Sequence, residues 1–442
     1  MNRTNINKNF FKFSPYIIGV ILILLPFHAF LTIWASTLVG QYTILRLWKE
    51  ILIILLIIPA IILTLRKYYP KNLYFNNTLL YFSLFYVFLN IVTGVLALKY
   101  HHVNLKAFSY GLLVNSRFIL FFWLCLIVSN NTKWLKNNWL NLLIIPGLIV
   151  ILFGLIQHYI LPADFLTHFG YNLTTITPYQ LVDSNSLFVR IQSTLRGANP
   201  LGAYLVLLLP AVLYRLYKSS ELKDKIIWAL FSISTFIVLF YSYSRSAYIA
   251  VLLALFMLLW LLSTKQQKKI LIVFGLVSLG IVTYSYMTFR HNLAVENTLL
   301  HTSSASSSAQ SSNFNHLSAT KGGINDSIHH PLGDGTGTAG PASVYNNQGA
   351  RIAENYYIQI AQENGLIGLV LFVGIIYGIG KYLYIQRKDA LSMILFVSLI
   401  GISFINLLSH AWADDTLSLL WFGLAGIALA PRVFNDSFSL KK

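Results

Sequence analysis

The sequence predicts an all-α, polytopic membrane protein with about twelve transmembrane helices, each crossing a bilayer core about 30 Å thick. Three observations predict it. The 442 residues are 56% hydrophobic but only 10% charged, whereas a soluble domain carries about 25% charged residues. Apolar runs of roughly 20 residues recur along the chain. The formal charge of +18 collects in short basic clusters between those runs, as membrane topology requires. With a mean hydropathy of +0.65, this composition excludes a soluble enzyme, a disordered chain and a secreted disulfide scaffold. A nucleic-acid partner is excluded too, because the basic residues form no stripe. The one cysteine, Cys125, rules out an intrachain disulfide.

The elements follow in order. Residues 1–160 form an N-terminal membrane segment of five runs, beginning near Ser14, Leu47, Asn77, Ala107 and Trp139. The first is too long for a signal-peptide core and reads as a signal anchor. Residues 161–198 form an outer loop, and residues 199–289 carry runs from near Asn199, Ile226, Ser246 and Ile270. The stretch from Ile226 to Ser263 is long enough for two spans and is divided at its only polar break, Tyr241 to Ser246. Residues 290–363 form a large extracytoplasmic loop before the tenth helix, and residues 364–442 carry the last three runs, from Asn364, Ala390 and Thr416. With both termini in the cytoplasm, most Lys and Arg fall inside, as the positive-inside rule requires. Trp34, Trp48, Trp134, Trp139 and Trp412 stand near span ends, where an aromatic belt would lie.

The large loop is not uniform. Its Ser-rich start, Ser303 to Ser312, is low in complexity and reads as flexible. Its later half holds His329, His330, Pro331 and glycines at 333, 335, 337 and 340. The stretch Arg351 to Glu363 predicts an amphipathic helix with Asn355, Gln359 and Gln362 on one face. The glycine run reads as a tight turn near a site. It lacks the preceding strand and the Gly-Lys-Ser/Thr ending of a nucleotide loop. His329 and His330 are adjacent, and no metal-ligand spacing occurs elsewhere, so neither metal nor cofactor is expected.

Three arginines stand out. Arg117 lies about 15 Å into a span, where its insertion costs at least about 2.5–3.5 kcal/mol. No Asp or Glu falls clearly inside a span, so Arg117 needs carbonyls, water or an anionic ligand. Backbone hydrogen bonding in a kinked helix near Asn115 and Ser116 would also satisfy it. Arg196 and Arg245 sit in tight polar turns at the same outward level. Either alone could be interfacial snorkelling. Together they suit an anion, and arginine's bidentate geometry suits a diphosphate. Glu354 opens the amphipathic segment, either as a proton acceptor or as a carboxylate complementing a helix dipole.

The ordered set resembles the O-antigen ligase and O-antigen polymerase family of bacterial membrane proteins. It comprises Arg196-Gly-x-Asn-Pro before a span, Ser244-Arg245 between spans, and the segment ending in Asn315-His316-Leu317. His330-Pro-Leu-Gly-Asp-Gly-x-Gly337 follows, then Glu354-Asn355-Tyr356 ahead of Glu363-Asn364-Gly365. The resemblance runs from about Leu187 to Phe372. It implies an all-helical fold of the glycosyltransferase C type, free of metal. It implies transfer of a glycan from undecaprenyl diphosphate to a glycan, lipid or protein acceptor at the outer face of the cytoplasmic membrane. The family's arginines map onto Arg196 and Arg245, with Arg117 a further candidate for the diphosphate. Glu354 is the first candidate base and His316 the second, with Asn355 and His330 near the acceptor. The family's ligases carry a histidine where Glu354 stands, which leaves polymerase and ligase both open. Two other classes fit the topology: a flippase for lipid-linked glycan, and a non-catalytic scaffold of a polysaccharide assembly. A flippase needs polar residues along a membrane path, and a scaffold should tolerate substitution in the loop motifs.

Overall fold

The computed structural model describes residues 3–68, 73–74, 77–182, 185–289, 307–347, 349–437 and 439–440. It is built of helices, with two short antiparallel ribbons. These pair β1 (Leu73–Tyr74) with β4 (Ser439–Leu440), and β2 (Gln180–Val182) with β3 (Asn185–Arg190). A helix stands at each of the twelve expected positions. Among the described residues nine helical stretches are long and apolar enough to cross a membrane. Two more, Ala390–Ile405 and Asp415–Ala430, are apolar but shorter. Lys265–Phe289 is not among the nine, and its first turn is crowded with Lys265, Lys268 and Lys269.

The chain divides into two compact units. The first comprises Met1–Leu148, Ala319–Phe396 and Ile405–Lys442, and the second Ile149–Ser318 and Val397–Phe404.

In the first unit the helices are α1 (Arg3–Leu24), α2 (His28–Val39), α3 (Tyr42–Arg46), α4 (Trp48–Tyr68), α5 (Thr78–Lys99) and α6 (Leu105–Asn131). Polar residues ahead of apolar runs start them. Asn77 accepts from Leu79 N and Asn104 from Ala107 N, each at 2.8 Å, as N-caps do. α7 (Trp134–Tyr159) begins in this unit, and the helix Asp415–Ser437 closes it. α6 is the centre. Phe121 and Phe122 lie against Gly423 and Gly426 of the last helix, where any Cβ would collide. In lipid, helices associate through such small-residue contacts because the hydrophobic drive is absent. Phe118 packs against Phe422 at 4.6 Å between centroids, and Phe422 meets Trp412 edge to face at 5.1 Å. Trp412 is fully buried, so it belongs to the core and not to an interfacial belt.

The second unit contains α8 (Ala198–Lys218), α9 (Leu222–Tyr241), α10 (Arg245–Leu262) and α11 (Lys265–Phe289). Arg245 is the first residue of α10, which places the helix break where the polar residues predict it. α8 and α10 run parallel and touch at their first turns. A Cβ on Gly202 would lie 2.7 Å from that of Ala247 and 2.9 Å from that of Ser244.

Residues 290–306, the first part of the expected large loop, lie outside the described residues. The next segment is helical, α12 (Ser307–His329), and includes the described part of the Ser-rich stretch. The expected helix over Arg351 to Glu363 starts later. α13 runs Tyr356–Ile385 and is broken at Gly365, where φ is 66° and ψ −172°. Glu354, at φ 54°, prevents an earlier start. α14 (Ala390–Ile405) follows, and α15 is Asp415–Ser437.

Candidate functional site

The glycine run fills the break in α13. Asp334 N and Gly335 N donate to the carbonyls of Gln362 and Glu363, both at 2.8 Å, and Leu366 N donates to Pro331 O at 2.9 Å. Backbone groups freed by the helix break are thus satisfied inside the protein, the only way lipid tolerates them. Gly337 shows why the run is glycine. Its φ is +94° and a Cβ there would lie 2.6 Å from Ala107 O, so a side chain is excluded twice over.

Beneath the loop is a buried polar knot. Glu363 Oε1 accepts from Gly337 N at 2.9 Å, and Glu363 Oε2 from Asn115 Nδ2 at 2.8 Å. Asn90 Oδ1 accepts from Asn115 and Asn364 at 2.9 and 3.0 Å. Thr336 Oγ1 donates to Asn90 O at 2.8 Å. Glu363 is completely buried. Gln359 and Gln362, which the sequence puts on one polar face, are buried as well.

A second buried cluster corrects the view of Arg117. Its Nη1 lies 3.0 Å from Glu50 Oε1 and 3.9 Å from Asp415 Oδ2, and its Nη2 donates to Ala413 O at 2.8 Å. Lys49 Nζ is 3.2 Å from Glu50 Oε2 and 3.0 Å from Asp415 Oδ2. His28 Nε2 is also 3.0 Å from Asp415 Oδ2, while His28 Nδ1 accepts from Trp48 Nε1 at 3.0 Å. Carboxylates therefore do stand at the depth of Arg117. Glu50 and Asp415 lie at the ends of apolar runs and face inward. Arg117 is a member of a neutral ionic core of two cations and two anions.

Glu354 sits at the junction of the loop and α13. Asn355 is the N-cap: its Oδ1 accepts from Tyr357 N and Ile358 N at 3.0 and 3.1 Å, and its Nδ2 donates to Leu407 O at 2.9 Å. Tyr356 N donates to Asn406 O at 2.9 Å. These bonds lock residues 406–410 against 354–356 and bring His410 Nε2 to 3.9 Å from Glu354 Oε2. Asn355 thus builds the site through the backbone. His410 was not singled out by the sequence, since 56 residues separate it from Glu354.

Arg351 fixes the loop from the other side. Its guanidinium pairs with Asp334 at 2.5 Å and Asp326 at 2.9 Å. His330, largely exposed, pairs with Asp334 through Nδ1. Burial pushes the Asp334 carboxyl up, but hydrogen bonds and charge from Arg351 and His330 outweigh it and hold the group below its usual range. A depressed carboxylate adds stability above its unfolded value of about 3.9 and loses it as pH falls further, through the folded value. Because the pair is partly exposed, the gain is about 1 kcal/mol or less. Amide exchange at Asp334, Gly335 and Gly340 should therefore rise, relative to intrinsic rates, as pH drops below about 4. Exchange that merely follows the intrinsic rate would remove this role.

Arg196 and Arg245 lie in the second unit, and Arg190 ties their segments together. Arg190 Nε donates to Ser242 O at 3.0 Å and its Nη2 to Asn199 Oδ1 at 2.6 Å. Gln180, opposite Arg190 in the ribbon, accepts from Ala198 N at 3.4 Å. Ser193, at φ 51°, is held by Gln157 Oε1, which accepts from its N–H at 2.8 Å, and its Oγ donates to Val150 O at 2.7 Å. Tyr243 has φ 48°. Such left-handed residues cost about 1–3 kcal/mol and persist where surrounding structure holds them. The result places Arg196 two residues before α8 and Arg245 at the start of the parallel α10. Two positive helix ends and two guanidinium groups belong to one framework. His316 falls in α12, but its side chain lies outside the described residues.

The model of the O-antigen ligase family matches residues 229–373. Over that segment, about a third of the chain, the protein is similar to the O-antigen ligase family. The segment runs from α9 into α13 and contains Arg245, His330, Asn355, Glu354 and Glu363. Arg196, Arg117 and His410 lie outside the match. Among curated proteins, none matches the chain. With nine candidate spans among the described residues, the chain is a multi-pass membrane protein. Among the described residues no group of three or more His, Cys, Asp or Glu could hold a metal ion.

Proposed function

We propose that this protein is a glycosyltransferase that moves or polymerises glycan from an undecaprenyl-diphosphate donor at the outer face of the cytoplasmic membrane. The observation that supports the reading is Arg190, whose bonds to Ser242 and Asn199 tie together the two helix starts that carry Arg196 and Arg245, beside a match to the O-antigen ligase family over residues 229–373. As the anomeric bond breaks, negative charge develops on the leaving diphosphate. Arg196 and Arg245 stabilise that charge, and preorganised charge of this kind is usually the largest catalytic contribution. Glu354 accepts the proton of the acceptor hydroxyl. His410, 3.9 Å away, is placed to orient it. In-line attack inverts the anomeric centre. Arg117 is left out of the diphosphate site, because its guanidinium is engaged by Glu50, Asp415 and Ala413 O.

Purified protein incubated with its lipid-linked repeat unit alone tests the reading. Chain growth identifies a polymerase. Product only after a second acceptor is added identifies a ligase. No transfer under either condition overturns the proposal. Glu354→Gln should slow transfer by about a hundredfold or more, and a wild-type rate would remove it as the base.

A further inference from the structure

A cavity of about 420 Å³ opens in the first unit where α3, α6 and the helical turn Gly340–Tyr345 meet. Pockets of about 300–1,000 Å³ are the size that holds small ligands. Its walls include Tyr42, Arg46, Lys106, Ser109, Tyr110 and Tyr345. Arg46 Nη2 donates to the Tyr110 hydroxyl at 2.6 Å, and its guanidinium stands 5.3 Å from that ring's centroid. Lys106 Nζ lies 4.5 Å from the Tyr345 centroid. The Tyr110 and Tyr345 rings meet edge to face at 5.2 Å.

The walls are fixed before any ligand arrives. Asn104 caps α6 and also donates through Nδ2 to Tyr345 O at 2.6 Å. Asn346 Nδ2 donates to His102 O at 2.9 Å. The turn bearing Tyr345 is bonded to the segment leading to Glu354: Gly340 N donates to Arg351 O at 2.9 Å and Arg351 N to Ser343 Oγ at 2.8 Å.

Among the described residues no carboxylate stands within ion-pair distance of Arg46 or Lys106. The nearby Glu50 and Asp415 are committed to Lys49 and Arg117. Two cations over tyrosine faces bind anions attached to a body with a C–H face, and a pyranose carrying a carboxylate has both. A bare phosphate would use the cations and leave the rings idle.

We propose that this cavity binds a carboxylate-bearing sugar unit of the glycan. The proposal deepens the glycosyl-transfer reading and rests on it for the glycan. Full-length protein in phosphatidylcholine nanodiscs is titrated with a tetrasaccharide of alternating glucuronic acid and N-acetylglucosamine, and with neutral maltotetraose. The acidic chain should bind about tenfold tighter, as charge-assisted contacts with guanidinium and ammonium predict, and the gap should shrink with salt. Arg46→Gln and Lys106→Gln should each weaken acidic binding about fivefold or more. Lys106 is exposed, so its variant keeps the fold even if Arg46→Gln does not. Equal binding of both chains, or wild-type affinity in Lys106→Gln, overturns the proposal. So does full blockage by phosphatidylglycerol nanodiscs, which would make the occupant a lipid headgroup. Binding needs no donor, and Arg196→Lys should retain it. A protein that binds but never transfers refutes the transfer reading alone, and one that transfers without binding refutes the cavity alone.

Discussion

Arg196→Lys and Arg245→Lys are each expected to lower the transfer rate about a hundredfold or more, the effect of removing one preorganised donor from developing charge. Lysine keeps the charge, so a merely electrostatic or interfacial role would survive the change. What lysine loses is the planar fork that grips two oxygens at once. The framework around each position makes that loss local. Arg190 and Gln180 hold the start of α8, and Arg190 also holds Ser242 ahead of α10. The variants should therefore insert and accumulate normally while the rate with purified lipid-linked donor collapses. If both variants transferred at the wild-type rate, the arginine clamp would be wrong. The two positions are also expected to be non-additive, because both act on one leaving group.

Much of this arrangement could be read in the sequence, and the reasons are local. Apolar runs of span length mark the helices. The residue that caps a run lies next to it, as Asn77 and Asn104 do. Asn355 carries the same signal, a capping residue directly before an apolar stretch, while the amphipathic pattern itself begins at Arg351. The turn forced by Glu354 decides otherwise. Partners distant in sequence stayed hidden. Glu50 and Asp415 border apolar runs, where acids are read as exposed, and only tertiary packing aims them at Arg117. Glu363 stands one residue before an apolar run, and its burial depends on a glycine loop about thirty residues upstream that needs no side chain to approach it. His410 meets Glu354 through backbone bonds of Asn355 and Tyr356, which no spacing rule encodes.

Removing Arg117 is expected to cost about 3–5 kcal/mol of stability, the penalty for breaking a buried pair from one side. The ionic core explains the size. Lys49 and Arg117 balance Glu50 and Asp415, and all four are almost fully buried. Arg117→Leu leaves Glu50 with Lys49 alone, and Lys49 is already shared with Asp415 at 3.0 Å. Glu50→Leu leaves Arg117 with Asp415 at 3.9 Å and one carbonyl. The double variant removes one charge of each sign and leaves Lys49 and Asp415 paired. It should be more stable than the single effects add up to, with a coupling of about 0.5–3 kcal/mol. Thermal unfolding of the four proteins in detergent measures that cycle. Strict additivity would show that Arg117 and Glu50 do not act as a pair. Because α4, α6 and the start of α15 all contribute to this core, its loss should also slacken the segment that presents His410 to Glu354. The Arg117→Leu variant should then lose transfer rate below its unfolding temperature, and the double variant should regain part of it.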